Sequence, residues 1–273
     1  QTIEEKHLLN QIKLLTDLAI SLEYSDAYTV TNKSPQEILD KAITIAGIDR
    51  VEHPFGVTIS ASNKLSVLLT YYCNNISHLF ALPSLIARYI KTERDTTLEE
   101  IESFCEHLYP FLASEYFLRW SPAEVGTQCR KIIDLFTASG LVIRQDKNIS
   151  AATQGSDRYA SLNELSEIVE PTLERFHIVL ALLLQAENRT VRNLESDAAA
   201  IAQQLCAIYG INSPDFFERS LFSSFINTLK STALVSIQDG SVIKRHGFSE
   251  TAQLVSHTLA ADVQHNVLQA IPE

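Results

Sequence analysis

The sequence contains no methionine, and its 273 residues open on Gln1. A chain of this length without an initiator residue reads as a piece of a longer protein. Glycine is scarce as well. Eight widely scattered glycines leave no place for a G-x-S-x-G nucleophile elbow, a G-x-G-x-x-G dinucleotide turn or a phosphate loop. The four cysteines, Cys73, Cys105, Cys129 and Cys206, lie far apart with no C-x-x-C pair. Neither a zinc site nor a disulfide framework is encoded, and buried free thiols are expected. Basic residues are outnumbered, 22 Lys and Arg against 33 Asp and Glu. The net charge of −11 opposes long-range attraction to DNA, RNA or an anionic lipid surface. No basic end followed by an apolar block opens the chain, so no signal peptide is expected.

What is present is a folded-protein composition. Apolar residues make up 45% of the chain, enough for one large core or two modest ones. The longest uncharged run, residues 65–87, could cross a bilayer core of about 30 Å by length alone. Asn74, Asn75, Ser77 and His78 would then sit near mid-membrane, so no transmembrane span is expected.

Residues 69–90, LTYYCNNISHLFALPSLIARYI, form the stretch around which the chain is organised. Here Asn74, Asn75 and His78 stand among Leu68, Leu69, Leu79, Phe80 and Leu82. A buried amide costs free energy unless hydrogen-bonded, so the cluster reads as a polar seam between two pieces of structure.

Apolar spacing gives an amphipathic helix over residues 3–22. Ser34-Pro35 then starts a helix ending at Gly47, with a short strand at 57–59. A Thr-capped helix spans 98–118, interrupted or kinked at Pro110, and Ser121-Pro122 starts another that runs to Ala138. Segments 141–143 and 146–149 read as a strand pair. Residues 172–184 contain IVLALLL, with no polar side, and form a fully buried helix. Amphipathic helices follow over 194–209 and from Ser213-Pro214 to Leu229. A hairpin turning at Asp239-Gly240 and one closing helix over 249–270 complete the chain. The fold class is therefore mostly α: a helical bundle with small β-hairpins, over half helix. Its expected units are 1–64, 65–155 and 156–273.

Segments beginning at Ser34, Ser121 and Ser213 each carry Ser-Pro, a helix and a short β element, about 90 residues apart. This is a winged-helix-like outline, which raises nucleic-acid binding. Charge decides against it. Arg130 and Lys131 face Glu124 and Asp134 on one such helix, and Arg219 and Lys230 face Asp215 and Glu218 on the other, so neither is basic. His257 and Asp262 fit an H-x-x-x-x-D acyltransferase motif, but on a continuous helix positions five apart point about 140° away from each other. The match is read as chance.

Four blocks in order carry a family resemblance: YYCNNISHLFALPSL from Tyr71, YPFLASEYFLRW from Tyr109, EPTLERFHIVLALL from Glu170 and GINSPDFFERSLFSSFINTL from Gly210. Together they resemble the C-terminal region of the bacterial membrane-associated glycerol-3-phosphate acyltransferase family. That family's pattern has a basic residue where Cys73 stands. The resemblance implies an enzyme that moves an acyl chain from acyl carrier protein or coenzyme A to the sn-1 hydroxyl of glycerol 3-phosphate in phospholipid synthesis. It implies a peripheral position on the cytoplasmic face of the inner membrane, and catalytic residues upstream of this chain.

No catalytic residue, metal or cofactor is therefore expected here. Expected partners are an upstream catalytic domain, acyl carrier protein or acyl-CoA through the parent enzyme, and peripheral membrane contact, with no nucleic acid. Tyr71, Tyr72, Asn74, Asn75, His78, Arg119 and Trp120 are the candidates for an interdomain surface or substrate entrance, with Arg119 expected to pair with Glu115. Taken singly, the aromatics read first as core packing and Arg119 as half of a local ion pair; the functional reading concerns the group. The competing reading is a stand-alone helical protein–protein adaptor with winged-helix-like modules.

Overall fold

The computed structural model describes residues 2–93, 95–186, 189–209 and 214–271. Helix accounts for 67%, above the half expected, and the small sheets are antiparallel. The chain opens with β1 (Thr2–Glu4), α1 (Glu5–Leu22), α2 (Pro35–Ala46), β2 (Asp49–His53) and β3 (Gly56–Ser60). These strands form a sheet of order β1-β3-β2, with Ile3 opposite Ile59 and Arg50 on the other side of the same residue. The first residues thus form an edge strand before the helix begins. The long α3 (Asn63–Thr92) leads to β4 (Thr96–Thr97), α4 (Leu98–Tyr116) and α5 (Val125–Ala138). β5 (Val142–Gln145) and β6 (Asn148–Ala151) follow, and β4 pairs with β6 to complete a second sheet. Then come α6 (Asp157–Ser166), α7 (Glu170–Gln185), α8 (Val191–Tyr209), α9 (Arg219–Ser231), and the hairpin of β7 (Val235–Gln238) and β8 (Ser241–Lys244). α10 (Phe248–His257) and α11 (Ala261–Ala270) end the described chain.

Side-chain caps set several helix starts. Ser34 and Thr97 each face a glutamate three residues on, and in both cases the two side chains satisfy one another's backbone N–H groups, while at Ser121 the Glu124 carboxylate accepts from the Ser121 N–H. The charge-assisted bonds from Ser34 and Lys33 hold the Glu37 carboxyl down at about 2. α4 passes through Pro110 without ending. A short 3-10 turn at Pro214–Phe217 precedes α9, and the expected cap at Ser213 lies outside the described residues.

α7 is the axle of the core. Every residue from Thr172 to Leu183 is buried, as its all-round apolar run requires, and α8, α9, α10 and α11 pack against it. Phe176 stacks on Phe225 at 4.0 Å between centroids, and Phe111 meets both rings edge-on. Cys105, Cys129 and Cys206 are buried free thiols, whereas Cys73 is exposed.

The closing helix read from sequence is two helices, with a break over 258–260 that contains neither glycine nor proline. Arg88, buried on α3, reaches across and its Nε donates to the Thr258 carbonyl at 2.6 Å. A carbonyl drawn into that bond is unavailable to a continuing helix, and Thr258 Oγ1 donates back to the Val255 carbonyl.

Candidate functional site

α3 is 30 residues long, and Pro83 sits inside it. Its second half is core: Phe80, Leu82, Leu85, Ile86 and Ile90 are all buried. Its first half runs past its packing partners. Val67, Leu68, Tyr71, Tyr72 and Ile76 are exposed, at 43%, 43%, 63%, 47% and 49%. The five fall within ten residues at helical spacings, so they form one apolar surface over almost three turns.

This corrects the reading of the Asn pair as buried. Asn74 and Asn75 are exposed. Asn75 Nδ2 donates to the carbonyl of Tyr71 one turn back, at 3.1 Å, so its amide is served by its own helix. Asn74 lines a groove beside the helix. The apolar neighbours that suggested burial belong partly to the core half of α3 and partly to its outward surface.

The remaining candidates gather around Tyr24, which follows α1. His78 meets the Tyr24 ring edge-on at 5.5 Å, and the buried Trp120 meets it at 4.9 Å. The Arg119 backbone N–H donates to Tyr24 Oη at 3.0 Å, and its guanidinium donates to the Tyr24 carbonyl. Burial of the ring is the main reason the Tyr24 hydroxyl is pushed above its usual pKa. The Arg119–Glu115 pair expected from their four-residue spacing does not form. Tyr116 begins to close α4, Phe117 adopts a left-handed backbone at φ 53°, and Arg119 is carried away from the helix. The structure thus splits the seven candidates into two groups. His78, Arg119 and Trp120 form a hub on Tyr24, and Tyr71, Tyr72, Asn74 and Asn75 stand on the projecting half of α3.

Glu115 pairs instead with Arg175 of α7, and both are largely buried. Thr172 Oγ1 donates to Glu115 at 2.8 Å, and the Tyr116 hydroxyl lies 3.0 Å from Thr172 Oγ1. Arg175 also lies over the Phe216 ring at 5.9 Å. This network floors a groove of about 490 Å³, whose opposite wall is Thr70, Asn74 and Ser77 of α3. Its one cue at the level of sequence is the charged head of an otherwise apolar α7, where Glu170, Glu174 and Arg175 precede the aliphatic run. The buried Arg88 likewise pairs, through Nη2, with the half-buried Glu170 at 2.5 Å, a long-range contact that no local pattern announces.

His257 is bonded to Glu93 at 2.5 Å rather than to Asp262. The helix break invalidates the angular argument used against that pair, and the observed partner replaces it. No group of three or more metal-ligating side chains occurs among the described residues. No described helix is long and apolar enough to cross a membrane.

Comparison with known proteins places this helical scaffold among the acyltransferases. A family model described as "Glycerol-3-phosphate acyltransferase C-terminal region" matches residues 1–238, and the chain belongs to that family. A glycerol-3-phosphate acyltransferase from Pseudoalteromonas translucida (strain TAC 125) is 30% identical over 271 residues, 97% of this chain and 33% of the relative. One from Alteromonas mediterranea is 30% identical over 270 residues, 98% of this chain and 32% of the relative. One from Glaesserella parasuis serovar 5 is 28% identical over 273 residues, 99% and 33%. The chain spans about a third of the length of the curated relatives it matches.

Proposed function

We propose that this chain is the non-catalytic C-terminal portion of a glycerol-3-phosphate acyltransferase, and that the projecting half of α3 seats the catalytic portion. The parent enzyme moves an acyl chain from acyl carrier protein or acyl-CoA to the sn-1 hydroxyl of glycerol 3-phosphate, from a peripheral position on the cytoplasmic face of the inner membrane. One observation carries the docking role: five large apolar side chains exposed together on one helix, Val67, Leu68, Tyr71, Tyr72 and Ile76. Scattered exposed leucines are ordinary, but a contiguous patch of aliphatic and aromatic side chains marks an interface. Tyrosines suit such a position because each offers a large apolar ring and a hydroxyl that tolerates water.

Two facts support the assignment of chemistry elsewhere. The relatives are about three times longer than this chain, and the family model describes a C-terminal region. The H-x-x-x-x-D match within the chain has its histidine bonded to a different residue.

The purified chain should transfer no acyl group from a coenzyme A thioester to glycerol 3-phosphate. Turnover that is abolished by His257→Ala would overturn the reading. In the full-length enzyme, Tyr71→Ser with Ile76→Asp should lower the rate at least tenfold. The same changes should leave the thermal unfolding of the isolated chain unaltered, because both side chains are already exposed. Unchanged activity of that variant would remove the docking role from α3.

A further inference from the structure

A slot of about 220 Å³ opens between α7, α10 and α11, and it shares no lining residue with the groove beside α3. Leu180, Ala181 and Ala252 line it, and Leu184 and Leu268 stand at its mouth, 48% and 49% exposed. No charged side chain lines it among the described residues. His177 also lines the slot. It is 94% buried, and neither Nδ1 nor Nε2 has a hydrogen-bond partner among the described residues. Of the other polar side chains lining the slot, Gln185 and Gln253 are exposed at the surface, and Ser256 and Gln264 are already engaged. Ser256 Oγ donates to Gln264 Oε1 at 3.1 Å, and Gln264 Nε2 donates to the Leu259 carbonyl at 2.9 Å.

We propose that this slot binds a small neutral amphiphile, an alkyl chain of several carbons carrying one hydroxyl, with the His177 imidazole taking the hydroxyl. A neutral imidazole has one N–H donor and one bare nitrogen acceptor, and a hydroxyl can serve either. Buried polar groups in folded proteins are almost always partnered, so an imidazole with both nitrogens vacant calls for a ligand or water. Size favours a ligand larger than water. A water occupies about 30 Å³ of liquid, whereas a dry apolar cavity of about 150 Å³ suffices for benzene. Charge favours a neutral head group. Burial drives the His177 pKa down to about 4, so the ring is uncharged at neutral pH and a carboxylate would enter with no counter-ion. The site is separate from the α3 surface and does not depend on the function proposed for it.

The test uses the purified chain and two probes, 1-hexanol and hexanoate, at pH 7.5. Imidazole ring resonances of His177 are followed by NMR. Saturable displacement by 1-hexanol is expected, with hexanoate at least tenfold weaker. Leu268→Arg, at an exposed position that leaves the core untouched, should weaken 1-hexanol at least tenfold. Absence of a saturable shift would mean a hydration site only and would overturn the proposal. Equal or tighter binding of hexanoate would overturn it too, as would unchanged affinity in Leu268→Arg.

Discussion

Glu174 shows what a single buried carboxyl does to this protein. It is 9% exposed on α7, and burial first, then the neighbouring Glu170 carboxylate, raises its pKa from 4.5 to about 7. Between those two values the folded chain holds a proton that the unfolded chain has released. Stability therefore falls as pH rises through that window. The shift corresponds to about 3 kcal/mol. His177 acts oppositely: its folded pKa near 4 lies below the ordinary 6.5, so its contribution is complete above 6.5 and is lost as pH falls toward 4. Glu174→Gln should isolate the first effect, making the chain more stable than the parent at pH 8 by about 2 to 3 kcal/mol. The gap should shrink toward zero near pH 4.5, read from urea unfolding at both values. At the surface, Asn75→Leu should change stability by less than about 0.5 kcal/mol, since the amide bonds only its own helix. The Asn pair is exposed despite its leucine neighbours because flanking leucines signal burial only where a helix has something to pack against. Sequence does not state where the partners of α3 run out.

Elements were more legible than residues. The buried α7 follows from a run with no polar side, and the hairpins after α5 and α9 follow from short β-branched runs around turns. Asp146 and Asp239 both occupy the left-handed region at those turns, at φ 53° and 48°. β2 was invisible because DRVEH is exposed along its length and offers no alternation, so pairing to β3 alone makes it a strand. The break between α10 and α11 was invisible for a different reason: its cause is Arg88, 170 residues away in sequence. Arg88→Ala should strand the Glu170 carboxylate and free the Thr258 carbonyl, costing about 3 to 5 kcal/mol by denaturant unfolding. Arg88→Lys should recover only part of this, because an ammonium lacks the planar fork that serves both partners.

For the whole molecule, sequence resemblance supplied the family and pattern supplied the helical class. The division of the seven candidates into a Tyr24 hub and a projecting surface emerged only with the fold. α3 spans both worlds. At 1.5 Å per residue its 30 residues extend about 45 Å, half clamped in the core and half outside it. A rod held in this way is a lever. Force applied at Tyr71 has its fulcrum near Phe80 and its inner arm at Arg88, which holds Glu170 at the head of α7 and Thr258 between α10 and α11. Tilting the outer arm should therefore loosen the last two helices before it disturbs the nearer β1–β3 sheet. Amide exchange in the full-length enzyme should show this ordering: in Ile76→Asp, protection of 248–270 should change while that of 56–60 stays constant.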